Sequence, residues 1–421
     1  MLRIEYVLLL VCFYSAFNAQ AADLQTLDFN LESGEVIHVS HYQSDSSKLF
    51  IWLPSERGVS EHSLEVANRL ADIGNNVWVV DLHSSYMVST SRYSVDEFPV
   101  SDITQLLIEA KQGGYEQVYF LSANRGASLV LGSIIQFSRI YPASSLIKGS
   151  ILIHPYIYES LPAMGEAARF IANSDKSHLP IYMIQPQYST KYLFTEDIRR
   201  QLEKGGSQVF THKLKNVEGG FYARPAEDLS PAAIEAKQQL PETIDRASRL
   251  LAQIKPASLV SRETTEERSK AKPIRESSLS VYKGQQRRLH LELPDLNGQM
   301  VNLEQYRGRV VLVNFWASWC KPCVREIPSL SRLGEHFADK AFDIVTVNIG
   351  ESAERVALFL DADNQHLQVL LDQEGNAVRN WRVYAFPSNF LLDQSGEIQY
   401  AYRGALEWDS PEVVKIIESL L

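Results

Sequence analysis

The stretch from Val310 to Leu330, VVLVNFWASWCKPCVREIPSL, constrains this chain more than any other. An apolar strand runs into Trp-Cys-Lys-Pro-Cys, where a helix begins. Cys320 at a helix N-terminus meets unpaired backbone N–H groups and the positive end of the helix dipole, and both favour thiolate over thiol. With two residues between the cysteines, Cys323 stands one turn further on, where it can attack a mixed disulfide formed on Cys320. The pattern implies thiol–disulfide exchange.

A chain of 421 residues exceeds one ordinary core, so two domains and a linker are expected. The net charge of -10 is spread along the chain with no continuous basic stripe, which argues against a nucleic-acid partner. Residues 1–22 read as a secretory signal peptide: Arg3, an apolar run from Tyr6 to Phe17, then Ala19-Gln20-Ala21 as a small-residue cleavage site. An uncleaved N-terminal anchor is the alternative, while Val11 before Cys12 disfavours lipidation there. No later segment is long and apolar enough to span a membrane, and the leader makes the periplasm or cell envelope the expected location. Leader removal leaves two cysteines, Cys320 and Cys323. Exported proteins that use disulfides for stability usually pair distant cysteines, so this close pair reads as catalytic.

From Asp23 to about Arg224, short apolar runs alternate with helical patterns. Strands are expected at Lys48–Leu53, Asn76–Leu82, Gln117–Leu121, Gly149–Ile153, Pro180–Ile184 and Val209–Leu214, and helices at Ser60–Ile73, Ile103–Gln112, Ala127–Ile140 and Glu196–Lys204. Strands apolar throughout and separated by helices imply a parallel sheet covered on both faces. The order resembles an α/β-hydrolase, in which Gly-x-Ser-x-Gly follows a central strand. Here Ser122-Ala123-Asn124-Arg125-Gly126 puts Asn124 at the nucleophile's position, and an amide cannot form an acyl-enzyme. The acid's place falls in Gln185-Pro186-Gln187-Tyr188 and the histidine's in Val217-Glu218-Gly219-Gly220-Phe221, neither of which supplies the group. Serine-hydrolase activity is therefore set aside. Residues 23–254 are read as a degenerate α/β-hydrolase-like domain kept for binding or for packing on its neighbour, with His154 a loop or rim histidine. Pro231–Ile254 has helical periodicity, and 255–286, with RETTEERSKAKPIRESS, reads as a flexible exposed linker.

Residues 287–421 read as a second α/β domain with a mixed sheet. An opening hairpin turns at Asn297-Gly298. Strands follow at Val310–Phe315, Phe342–Ile349, Val369–Leu371, Ser388–Asp393 and Ile398–Arg403, and helices at Pro322–Phe337, Ala353–Ala362 and Pro411–Leu421. The run DLNGQMVNLEQYRGRVVLVNFWASWCKPC, the following Glu326-Ile327-Pro328, and Ala385-Phe386-Pro387-Ser388 before a strand resemble the TlpA/ResA-like thioredoxin family of envelope thiol–disulfide oxidoreductases. The resemblance implies Cys320 as the attacking thiolate and Cys323 as the resolving thiol. It implies Pro387 as a cis-proline whose preceding residue, Phe386, offers backbone hydrogen bonds to a bound chain, and Trp319 as a shield over the thiols. Pro328 would kink its helix. The family's thioredoxin branch carries a buried aspartate where Asn314 stands. Glu326, three residues beyond Cys323 and on the same helix face, is the expected proton carrier, with a solvated helix glutamate as the alternative.

A zinc site would need four ligands, and His336 and His366 do not supply finger spacing, so no metal and no cofactor is implied. The expected architecture is thus α/β in two domains, a hydrolase-like parallel sheet and a thioredoxin-like mixed sheet. The expected partners are protein thiols or disulfides and a membrane-linked electron donor, since an oxidising compartment supplies no soluble reductant. Family resemblance points to reduction of envelope proteins, with apocytochrome thiols among the candidates. The rival reading makes the first domain a ligand-binding module and the dithiol its redox sensor.

Overall fold

The computed structural model describes residues 23–258, 278–284, 286, 291–360 and 367–421, so the leader and most of the expected linker, residues 259–277, lie outside the described residues. The first unit runs β1 (Asp23–Asn30), β2 (Val36–Gln43), β3 (Lys48–Trp52), α1 (Glu61–Asp72), β4 (Asn76–Val80), α2 (Leu82–Ser85), α3 (Val100–Gln112), β5 (Gln117–Ala123), α4 (Ala127–Ile140), β6 (Ile147–Ile153), β7 (Ile181–Tyr188), α5 (Thr195–Glu203), β8 (Val209–Glu218), α6 (Pro231–Gln238) and α7 (Leu240–Leu251). Its eight strands form one sheet in the order β1-β2-β4-β3-β5-β6-β7-β8. From β4 to β8 all pairings are parallel, whereas the β1–β2 hairpin joins that edge antiparallel.

Strands such as NVWVV are buried along their whole length because helices cover both faces. Ile103 and Leu106 of α3 and Leu129 and Ile134 of α4 pack on one face, and Val66 and Leu70 of α1 with Ile244 and Leu251 of α7 pack on the other. The single helical pattern at Pro231–Ile254 resolves into two helices around Gln239, because Pro241 has no N–H to continue the ladder. The hairpin β1–β2 escaped the sequence reading. Its outer strand alternates with polar residues on an exposed edge and carries no continuous apolar run.

The second unit adds β9 (Ser280–Val281), β10 (Glu292–Pro294), β11 (Met300–Asn302), β12 (Val310–Trp316), α8 (Lys321–His336), β13 (Phe342–Ile349), α9 (Ala353–Phe359), β14 (Gln368–Asp372), α10 (Asn376–Asn380), β15 (Ser388–Leu392), β16 (Ile398–Arg403) and α11 (Pro411–Glu418). A six-stranded mixed sheet has the order β14-β13-β12-β15-β16-β9, with β10–β11 as a separate hairpin. The linker expectation fails at its C-terminal end. Ser280–Val281 pairs with β16, and Leu279 and Tyr282 are buried on either side of it, so an edge strand begins before residue 287. Two apolar side chains flanking a polar-looking segment sufficed once a sheet edge was present to pair with.

The two units pack on each other through the rim of the second sheet. Tyr384 stacks on Phe194 with ring centroids 4.7 Å apart and meets Tyr158 edge-on. Guanidinium groups of Arg379, Arg382 and Arg403 donate to the carbonyls of Leu193, Gly165 and Pro162.

Candidate active site

The fully buried β12 delivers the chain to the loop Ala317-Ser318-Trp319, and Cys320 is the N-cap of α8. Its sulfur accepts a hydrogen bond from the Cys323 N–H at 3.3 Å, and the two cysteines are joined as a disulfide. Cys320 is 7% exposed and Cys323 fully buried, so only the first sulfur can meet an incoming group. Pro322 stands in the first turn of α8, where its missing N–H costs nothing, and the helix continues through Pro328 to His336.

Glu326, one turn beyond Cys323, is 1% exposed, which excludes the solvated-glutamate alternative. Burial pushes its carboxyl up to about 7, against hydrogen bonds from Trp408 Nε1, Asn314 Nδ2 and the Leu406 N–H that favour the ionised form. These bonds measure 3.2, 2.8 and 3.3 Å. Asn314 on β12 also donates to Asn389 Oδ1 on the neighbouring β15 at 2.6 Å, which orients its amide toward Glu326. A carboxyl with this affinity changes protonation near neutral pH, as a proton carrier must.

Trp319 lies between the two units. Its ring is edge-on to Phe386 at 5.8 Å and stacked on Tyr188 of the first unit at 6.4 Å. The Phe386–Pro387 peptide is cis, Pro387 is buried, and its carbonyl accepts from the Gly404 N–H. The structure therefore brings Trp319, Cys320, Phe386 and Pro387 to one rim, with Cys323 and Glu326 behind it.

Sequence reasoning missed Glu351. This carboxylate, just after β13 and 2% exposed, accepts from the Ser318 N–H at 2.7 Å, Ser318 Oγ at 2.5 Å, Asn348 Nδ2 at 2.9 Å and Arg355 Nε at 2.6 Å. It holds the loop that leads into Cys320. Nothing local in Gly350-Glu351-Ser352 signals this, because the partner loop lies 33 residues earlier. Among the described residues, no cluster of three or more His, Cys, Asp or Glu is placed to hold a metal ion.

At the hydrolase-like positions, Asn124 has φ 48° at the turn between β5 and α4, a left-handed backbone that asparagine tolerates. Gly126 is required two residues on. A Cβ there would fall 2.1 Å from Ser122 Oγ and 2.3 Å from the Pro54 carbonyl. Ser122 is fully buried and donates to the Leu53 carbonyl, so its hydroxyl is not exposed for nucleophilic attack. His154, read from sequence as a loop or rim histidine, is buried in the wall of a cavity of about 470 Å³ at these strand ends.

The six-stranded mixed sheet, with a Cys-x-x-Cys disulfide opening a helix and a cis-proline before β15, defines a thioredoxin-like domain. A sequence profile of the AhpC/TSA family matches residues 285–401. The thioredoxin-like protein YneN of Bacillus subtilis is 34% identical over 132 residues, covering 30% of this chain and 75% of YneN. The thiol-disulfide oxidoreductase ResA of Geobacillus kaustophilus is 32% identical over 114 residues, 27% of this chain and 66% of ResA. Through this C-terminal region the chain belongs to the TlpA/ResA-like thioredoxin family. It spans just under two thirds of the length of the ResA proteins of Geobacillus kaustophilus and Bacillus subtilis, 66% and 64%. A crystal structure of a thiol:disulfide interchange protein DsbE from Chlorobium tepidum aligns with 34% of this chain and 99% of its own at 29% identity and a TM-score of 0.30.

Proposed function

We propose that this chain is an exported thiol–disulfide oxidoreductase that reduces disulfides of envelope proteins, apocytochromes c among the candidates, with residues 1–22 as its leader. The carrying observation is the Cys320–Cys323 disulfide at the N-cap of α8 with a buried, near-neutral carboxyl, Glu326, one turn behind it. In the reduced protein, Cys320 thiolate attacks one sulfur of a substrate disulfide, held against Trp319 and the backbone of Phe386 beside Pro387. A Cys320–substrate S–S bond forms, and the first substrate sulfur leaves as a thiolate that takes up a proton. Cys323 then gives its proton to the Glu326 carboxylate and attacks Cys320 Sγ, so that the internal disulfide forms and the second substrate thiolate is released. The substrate gains two electrons, and a membrane-linked donor restores the dithiol.

The reduction potential tests this reading. The full chain is equilibrated with dithiothreitol buffers and followed by tryptophan fluorescence, with Cys320→Ser as the blank. A value near roughly -270 mV fits a reductase, and a value near roughly -120 mV overturns the direction. Disulfide reduction that survives Cys320→Ser would sink the mechanism itself.

In this proposal residues 23–254 form a hydrolase-like domain without hydrolase chemistry, a reading supported by the sheet order and by Asn124 at the strand-to-helix turn. A second reading, a binding module with the dithiol as redox sensor, draws on one observation. Trp319, next to Cys320, also lines the cavity of that domain.

A further inference from the structure

The cavity of about 470 Å³ is built where the ends of β3, β5, β6, β7 and β8 converge, the side of a parallel sheet at which α/β folds bind ligands. Two residues without the freedom of glycine hold left-handed backbones there, Asn124 at φ 48° and His154 at φ 35°. Such conformations persist only where the surroundings impose them, and they aim both side chains into the same space.

Lys191, which follows β7, is the third member of the group. Its Nζ donates to Asn124 Oδ1 at 2.6 Å and stands 3.5 Å from His154 Nδ1. His154 Nε2 accepts from the Gly220 N–H at 3.2 Å, so the ring hydrogen sits on Nδ1. Burial, then the charges of Lys191 and Arg57, pull the imidazole well below its usual range, against a hydrogen bond to the residue's own backbone, and keep it neutral. An ammonium and an imidazole N–H therefore face each other side by side as two donors. An anion's oxygen between them would accept from both.

The surrounding charge agrees. Among the described residues no carboxylate pairs with Lys191. Arg57, Arg92 and Arg125 act on it as neighbouring cations, and Glu56 opposes them while its own Oε2 takes the Arg125 N–H at 3.2 Å. Glu218 also lines the space but accepts from Ser230 Oγ. Burial, with these cations added and Glu56 opposing, holds the Lys191 amine down at about 8. Aromatic side chains also line the cavity: Trp52 and Tyr222 from the first unit, and Trp319 from the second.

We propose that this cavity binds an organic carboxylate with an aromatic or apolar body, its carboxylate accepting from Lys191 Nζ and His154 Nδ1 and its body lying against Trp52, Tyr222 and Trp319. Lys191 and His154 are binding residues here, and the site does not depend on whether the neighbouring disulfide turns over.

Titration calorimetry of the oxidised full chain tests it with 3-phenylpropionate, its neutral amide 3-phenylpropionamide, and inorganic phosphate. The acid is expected to bind at least roughly tenfold more tightly than the amide, the difference a charge-assisted hydrogen bond makes. Lys191→Met should remove that preference while near-ultraviolet circular dichroism shows an intact fold. Because the acid–amide comparison needs no substitution, it decides the matter even if the variant fails to fold. Equal affinity for acid and amide, no binding of the acid, or tighter binding of phosphate than of the acid would each overturn the proposal. Failure of disulfide turnover would leave these binding results unchanged and bears on the oxidoreductase reading alone.

Discussion

Replacing Glu326 with glutamine should remove part of the pH dependence of stability. The carboxyl is raised from 4.5 to about 7, chiefly by burial. Between those two pH values the native state holds a proton that the unfolded chain has released, so stability falls as pH rises through this window. The group's favourable contribution is complete below about pH 4.5 and lost above about pH 7. The gap corresponds to roughly 3 kcal/mol, an order-of-magnitude value for a carboxyl this fully buried. Glutamine cannot ionise and lacks that slope. It carries instead a constant penalty of about 1–3 kcal/mol. With its oxygen toward Leu406 N and Trp408 Nε1, its amide group meets the Asn314 amide as donor against donor. Urea unfolding of oxidised wild type and Glu326→Gln, read by tryptophan fluorescence from about pH 4.5 to about pH 8, should show the variant gaining roughly 3 kcal/mol on the wild type across the range. Taking the difference cancels other titrating groups such as Asp372, whose carboxyl is also raised by burial. Stability curves that stay parallel would refute the assignment of a near-neutral proton site to Glu326.

Three further outcomes follow from the same geometry. Glu326→Gln should slow resolution of the mixed disulfide by about 10²–10⁴-fold and erase a rate inflection near pH 7, measured by stopped-flow with the reduced protein. Glu351→Ala strips four donors of their acceptor at the loop before Cys320 and should cost about 2–4 kcal/mol in urea unfolding, whereas an effect within experimental error would show the loop held by other contacts. Gly126→Ala drives a methyl group into Ser122 Oγ and the Pro54 carbonyl and should destabilise the first unit by about 3 kcal/mol or more, read as a lowered thermal midpoint.

What could be read from sequence was what is local along the chain. VVLVNFW must be a buried strand because it offers no polar face, and the Cys-Lys-Pro-Cys turn must open a helix because proline fits its first turn. Spacing alone set Glu326 on the face of Cys323. The alternation of apolar runs and helical stretches from Lys48 to Leu214 likewise determined a parallel sheet with both faces covered, since such strands leave nothing to meet water. The edges were a different matter. The strands β1 and β9 have little apolar character of their own and exist because a neighbouring edge offers unpaired N–H and C=O groups.

Tertiary structure decided what depends on residues distant in sequence. Glu326 is a near-neutral acid because Trp408, Leu406 and Asn314 close around it, and spacing along α8 could not distinguish that from a solvated carboxylate. Glu351 became the anchor of the Cys320 loop, and Lys191 met Asn124 and His154, only when separate strand ends were brought together. Trp319 is stacked on Tyr188 because the two units pack rim against rim. Periodicity and spacing encode the geometry of one element. The protonation state of a buried group and the partners of a side chain are set by which elements fold against it.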